Sequence, residues 1–303
     1  QSNIIMSLNV PVEINDTTTN IESTIDKIFT GNNYEYVNAV VNDDVEKITE
    51  YNQILYANYD ATISYMKKFG LYDTFINKFF NSQYSIEYNE LNDNPESIYS
   101  YVVSSKEGLE DIKMLPNLIY LKIDYNINSE NDMIDMREFN VRYLEFKRNV
   151  NTDIKEEYLP KNLQALHLSK ISTLQMKTKV FPQSLTSLTI DLMDTNYEMG
   201  VFPPNLKHLS IESITKLNSS DESTIVYLQR GFLPETLEGL RIGNFKNNVY
   251  FMEEFFPKNL KVFKCVYYLY QHEISKSIFP DSMTSLEFGT TDNISKGVLP
   301  SNL

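Results

Sequence analysis

One short pattern recurs through the second half of this chain and constrains its fold more than any other feature. An apolar residue is followed by proline, two mostly polar residues, leucine, two variable residues, leucine, one variable residue and a further apolar residue. Leu159 to Leu168, Phe181 to Ile190, Phe202 to Ile211, Leu233 to Ile242, Phe256 to Cys265 and Phe279 to Phe288 carry it whole, and Leu299 to Leu303 begins another copy. The prolines stand at 160, 182, 203, 234, 257, 280 and 300, so the spacing stays close to 22 residues apart from one interval of 31. Two degenerate copies come earlier. Leu115-Pro-Asn-Leu118-Ile-Tyr-Leu121-Lys-Ile123 is one residue shorter, and Val141-Arg-Tyr-Leu144-Glu-Phe146 lacks the proline.

The spacing has a direct physical reading. Apolar residues two apart, as in Leu188-Thr-Ile190, point to the same side of a strand. So short a strand cannot bury that side alone, whereas stacking copy on copy closes a continuous core and pairs the strands in parallel. The proline fixes its own φ and favours an extended residue before it, which stiffens the turn into each strand. A unit of about 22 residues leaves no room for a long return helix, so short 3₁₀ or extended segments are expected on the outer side. The long interval holds an insertion around Glu212 to Gly231, expected as a surface loop or short helix. The predicted class is therefore α/β: a leucine-rich-repeat-like solenoid over residues 106–303 with a parallel β-sheet on its concave face.

The earlier part of the chain has a different texture. Ile21, Ile25, Ile28 and Phe29 fall at helical spacing, as do Val37, Val40, Val41, Val45 and Ile48, with Gly70 as a helix stop. Residues 20–105 are read as a small helical region capping the first repeat, preceded by an extended segment over 1–19, and Ile98 to Val103 as a strand. The chain opens on Gln1 and stops inside a copy of the repeat, which reads as part of a longer protein.

The segments "FPQSLTSLTI", "LPSNL" and "FGTTDNISKGVLPSNL" resemble the FNIP repeat, a leucine-rich-repeat variant found chiefly in social amoebae and in giant viruses of amoebae. The likeness extends over residues 159–303 and more loosely over 115–158. The Phe-Asn-Ile-Pro string that names the family is absent here. What the resemblance implies is an interaction module, acting in a host cytoplasm or in a virion. An F-box and a kinase domain often precede such repeats, but neither signature is present.

Chemistry-bearing motifs are missing. There is no Ser-His-Asp arrangement, phosphate-cradling loop or metalloprotease motif, and the acidic run at Asn42 to Glu46 lacks the glycine and spacing of a calcium loop. The expectation is therefore no enzyme, cofactor or metal. His167 and His208 lie two repeats apart, roughly 10 Å by strand spacing, too far to share a zinc ion. Cys265, the single cysteine, falls at an inward core position and is expected to be a buried thiol. A formal charge of -14 opposes nucleic acid and anionic membranes, and no apolar run reaches the roughly 20 residues of a membrane span.

This leaves another protein as the expected partner, with oligomeric state open. The residues flanking each inward pair should line the concave face, about 35 Å long for eight strands. Candidate protein-binding residues there are Tyr120, Lys122, Tyr143 and Glu145, followed by His167, His208, Arg241 and Lys264; Tyr and Arg are enriched at interface hot spots. Two functions fit: an adaptor recruiting a target through this face, or a structural or cement component of a larger, viral assembly. Asn126 and Asn244 follow their strands where leucine-rich repeats often place a buried asparagine that bonds neighbouring turns.

Overall fold

A computed structural model of the protein describes residues 100–168, 180–194, 200–215, 226–228, 230–245, 249–269, 278–290, 298–301 and 303, together with Lys47 and Pro95. The extended segment expected over 1–19 and, apart from the helical Lys47, the helices expected between Ile21 and Gly70 lie outside these residues. The chain divides into two units, Gln1–Val102 with Met114–Ile119, and Val103–Lys113 with Tyr120–Leu303. In the first unit, Ser100 to Val102 belong to strand β1 (Ser100–Val103), and the Leu118 N–H donates to the Leu115 carbonyl at 3.3 Å.

The second unit opens with a helix that the repeat pattern does not announce. In α1 (Lys106–Asp111), Ser105 is the N-cap and its hydroxyl accepts from the Gly108 N–H at 3.3 Å, which satisfies one orphan donor of the first turn. The solenoid follows. Its strands are β2 (Tyr120–Ile123), β3 (Tyr143–Phe146), β4 (Ala165–Leu168), β5 (Ser187–Asp194), β6 (His208–Thr215), β7 (Val226–Leu228), β8 (Gly239–Phe245), β9 (Val249–Phe251), β10 (Val262–Leu269) and β11 (Ser285–Thr290). From β2 the main sheet runs β2-β3-β4-β5-β6-β8-β10-β11, and these neighbours pair in parallel.

The register is the one the leucine spacing predicts. Leu121, Leu144, Leu166, Leu188, Leu209, Leu240, Phe263 and Leu286 stand opposite one another in succession. Two positions on, Ile123, Phe146, Leu168, Ile190, Ile211, Ile242 and Cys265 form a second row. Every member of both rows from Leu121 to Cys265 is buried, the Cys265 thiol included. Stacking has closed the core that no single coil could close. Phenylalanine before the proline reinforces it: Phe256 and Phe279, from successive coils, stack with ring centroids 5.5 Å apart, and Phe256 meets Phe263 at 4.8 Å.

The proline turn is now explicit. In each of the six whole copies the proline carbonyl accepts the N–H of the residue three on, from Leu163 to Met283, at 3.0–3.1 Å. From Ser184 to Ser282 the second residue after the proline reaches back to the preceding coil. Ser184 Oγ lies 2.7 Å from both the Lys161 and Leu163 carbonyls, and Thr236 Oγ1 lies 2.6 Å from the Pro204 and 2.8 Å from the Leu206 carbonyl. Asn205 and Asn259 donate their amides to the Gln183 and Glu235 carbonyls at 2.9 Å. The "two polar residues" of the repeat are therefore half made of an inter-coil polar ladder. Three residues before the proline the backbone turns left-handed, with φ of 80° at Gly200, 85° at Gly231 and 58° at Glu254. Glycine tolerates that conformation at little cost; Glu254 occupies it with a side chain.

Two expectations are corrected. The strands of the main sheet outrun the short Leu-x-Ile segment of the repeat, reaching eight residues in β5, β6 and β10. The insertion carries neither only loop nor a helix in its described part: Val226 to Leu228 pair in parallel with Val249 to Phe251 as a separate two-stranded sheet. Short 3₁₀ turns do occur between strands, at Glu130–Asp132 and Glu156–Tyr158.

Gly243 in β8 marks a close approach of strands. A Cβ there would stand 2.5 Å from the Glu212 carbonyl oxygen, whereas a Cβ on Gly239 would meet only the His208 ring, at 3.0 Å. Backbone cannot swing aside as a side chain can. Gly243→Ala is expected to cost about 1–3 kcal/mol and Gly239→Ala distinctly less. Thermal denaturation of the two variants checks this, and equal losses would contradict it.

Candidate functional site

The sheet has a second face, formed by the residues that alternate with the buried leucine rows. Register arranges them in two further rows. Tyr120, Tyr143, Ala165, Ser187, His208, Gly239, Val262 and Ser285 make one; Lys122, Glu145, His167, Thr189, Ser210, Arg241, Lys264 and Glu287 make the other. All eight sequence-predicted residues lie in these rows. His167 and His208 fall in different rows on strands two apart.

Exposure is not uniform along this face. Tyr120, Lys122, Tyr143 and Glu145 are buried, between 0% and 4% exposed, and Ala165 and Ser187 are buried beside them. The expectation that all eight line a solvated surface is corrected for these four, which are buried. His167, Thr189, His208, Ser210 and Arg241 are half-buried and Lys264 is exposed. The face is shut at β2 and β3 and opens progressively towards β11.

The shut end holds a buried polar cluster. Tyr120 donates its hydroxyl proton to Glu145 Oε2 at 2.7 Å. Lys122 Nζ lies 3.8 Å from the same oxygen, and His167 Nδ1 lies 4.0 Å from Glu145 Oε1. Charges so deep persist only when paired and hydrogen-bonded, and Glu145 is the common partner here.

The open end carries charge in a different arrangement. Arg241 bonds Glu212 and reaches the Ser210 hydroxyl at 3.4 Å, both on β6. Lys264 pairs with Glu287 of β11 at 3.1 Å. Glu212 and Glu287 were not singled out as candidates. The signal for Glu287 was legible, because it sits in the copy after Lys264 at the same place in the repeat. Beside the face, at the strand entrance, Glu238 bridges Lys261 of the following coil at 2.7 Å and Lys207 of the preceding one at 3.3 Å.

The Glu238 carboxyl is held below its ordinary range, first by the Lys261 hydrogen bond and then, against partial burial, by Lys207. A carboxyl whose folded pKa is depressed contributes stability above its unfolded pKa of about 4.3 and loses it as pH falls through the folded value. Stability measured by urea unfolding from pH 5 downwards should therefore fall less steeply for Glu238→Gln than for the wild type. Parallel curves would show that the bridge contributes nothing.

Asn126 does link coils, its Oδ1 accepting from the Asn149 N–H at 3.3 Å, but from an exposed position. The Asn244 side chain lies outside the described residues. Among the described residues no helix is long and apolar enough to cross a membrane.

No family model matches the chain, and no curated protein matches it. Among solved structures, a crystal structure described as that of CroV588, a novel circular LRR protein, is similar at 22% identity with a TM-score of 0.32. The match covers 62% of this chain and 33% of that one, so the matched part is about a third of that protein's length.

Proposed function

We propose that this chain is a protein-binding solenoid, an adaptor that receives a target protein on the open part of its sheet face. The observation that carries this reading is the asymmetry of that face. The leucine rows consume the apolar residues of each strand, so the side chains from His167 to Glu287 contribute little to the core, yet they stand in register on a rigid ladder. At about 4.8 Å per strand, β4 to β11 span about 24 Å, which suits one side of an ordinary protein–protein contact. Rigid presentation favours binding, because little side-chain and backbone ordering remains to be lost on association.

The FNIP-like character of the repeat and a cytoplasmic or virion setting belong to the same proposal and rest on the sequence resemblance. Ser210→Arg places bulk and charge at the middle of the open face without touching the leucine rows. Affinity capture from a host lysate is expected to recover partners with the wild type that Ser210→Arg loses, the variant keeping its circular dichroism spectrum. Identical recovery by both would overturn the reading.

A further inference from the structure

We propose that the step between β8 and β10, where Arg241 faces Lys264, is the docking point for an aspartate or glutamate side chain of a partner protein; this rests on the open-face reading above. Register sets the two cations directly opposite each other, an arrangement that destabilises strand pairing unless anionic charge is near. Each has found its acid on the far side. Arg241 turns to Glu212 on β6 and Lys264 to Glu287 on β11, so the face reads acid, base, base, acid across four strands. Among the described residues no acid stands between the two bases: the neighbours of Arg241 and Lys264 on this face are Gly239 and Val262, with Gly243 beyond.

The step suits a carboxylate in charge. A carboxylate seated there accepts charge-assisted hydrogen bonds from a guanidinium and an ammonium together, the stronger class of such bonds. The His208 ring lies over Gly239 and Glu212 over Gly243, so a partner carboxylate would reach this step from above Arg241 and Lys264 themselves. Arg241 and Lys264 are 37% and 51% exposed, and each keeps donors beyond the ones its present acid uses. In a chain whose formal charge is -14, two bases stand side by side at this step with their acids outermost. The flanking acids Glu212 and Glu287 favour a partner with bases outside its central acid, which makes the pattern selective as well as attractive.

The test is selection of random twelve-residue peptides displayed on phage against the intact chain. Enriched peptides are then synthesised and their affinities measured by fluorescence anisotropy. The expected result is peptides carrying Asp or Glu, whose change to Asn or Gln weakens binding about tenfold or more. Arg241→Ala and Lys264→Ala should each weaken it to a similar degree, while Lys261→Ala, off this face, leaves it unchanged.

Failure to enrich any binder overturns the proposal, as do binders without acids or binders indifferent to both alanine variants. A phosphoserine in place of the acid that binds more tightly would reassign the site to phosphate and overturn the carboxylate. If the enriched peptides ignore Arg241 and Lys264 but are blocked by Ser210→Arg, this docking point fails while the open-face reading stands. Peptides insensitive to all three substitutions sink both.

Discussion

Glu145→Ala is expected to destabilise the fold by about 3–5 kcal/mol, the cost typical of removing one member of a buried charged pair. Lys122 is 4% and Glu145 3% exposed. The carboxylate serves Tyr120 through a 2.7 Å hydrogen bond and faces Lys122 at 3.8 Å. Deleting it leaves an ammonium group in a place water does not reach. Replacing both charged residues, as Lys122→Met with Glu145→Leu, should recover much of that loss, since a buried ion pair and an apolar pair of similar volume are often near-equal in stability. Urea denaturation of the single and double variants measures both quantities. A loss below about 1 kcal/mol for Glu145→Ala would mean that the pair behaves as a surface pair, and that the face is open at β2 and β3 after all.

Leu188→Ala comes next in size, at about 2–5 kcal/mol. Leu188 is 1% exposed and stands between Leu166 and Leu209 in the core row. Its truncation opens a cavity flanked by two coils, and in a solenoid each coil is stabilised chiefly by its neighbours. Thr189, the next residue, points to the other face and is only half-buried, so Thr189→Ala should stay within roughly 0.5 kcal/mol. The same denaturation experiment serves. Equal losses for the two variants would mean that the inward and outward faces have been exchanged.

The core was readable because the repeat states it twice, once as a period and once as an alternation. A residue two positions from a buried leucine must share its side, and a residue 21 to 23 positions on, or 31 across the insertion, must stand beside it. That reasoning places Leu121 through Leu286, and Cys265 among the isoleucines, without coordinates. It cannot say what happens on the opposite side. Alternation sends Tyr120, Lys122, Tyr143 and Glu145 away from the leucines but is silent on whether that side meets water. The pattern at Tyr120-Leu-Lys-Ile123 does not differ in kind from that at His208-Leu-Ser-Ile211, although one strand is covered on both sides and the other is not.

Other features left a trace that the consensus concealed. The second residue after the proline alternates between asparagine and a hydroxyl residue: Asn162, Ser184, Asn205, Thr236, Asn259, Ser282. Both kinds can donate to a carbonyl, and from Ser184 to Ser282 they donate across coils. Reading the position simply as polar misses that donor requirement. Gly200 and Gly231 likewise signalled a left-handed residue three before the proline, but Glu254 fills the same place in the next coil and obscures the rule. The two-stranded pairing of Val226 to Leu228 with Val249 to Phe251 had no comparable signal, since neither segment belongs to the repeated unit.

The central claim is that successive coils stack as one parallel ladder with a row of side chains in register on its open face. Nitroxide labels on cysteines placed at Thr189 and Glu287, with Cys265 replaced by serine, report on it by pulsed electron resonance. These positions share a row four strand steps apart, so their backbones should lie about 19 Å apart at ladder spacing. One narrow distance distribution, centred there within the reach of the label arms, is the predicted result. A broad distribution, or one centred above about 35 Å, would show that these strands are not successive rungs of one ladder and would remove both the fold and its binding face.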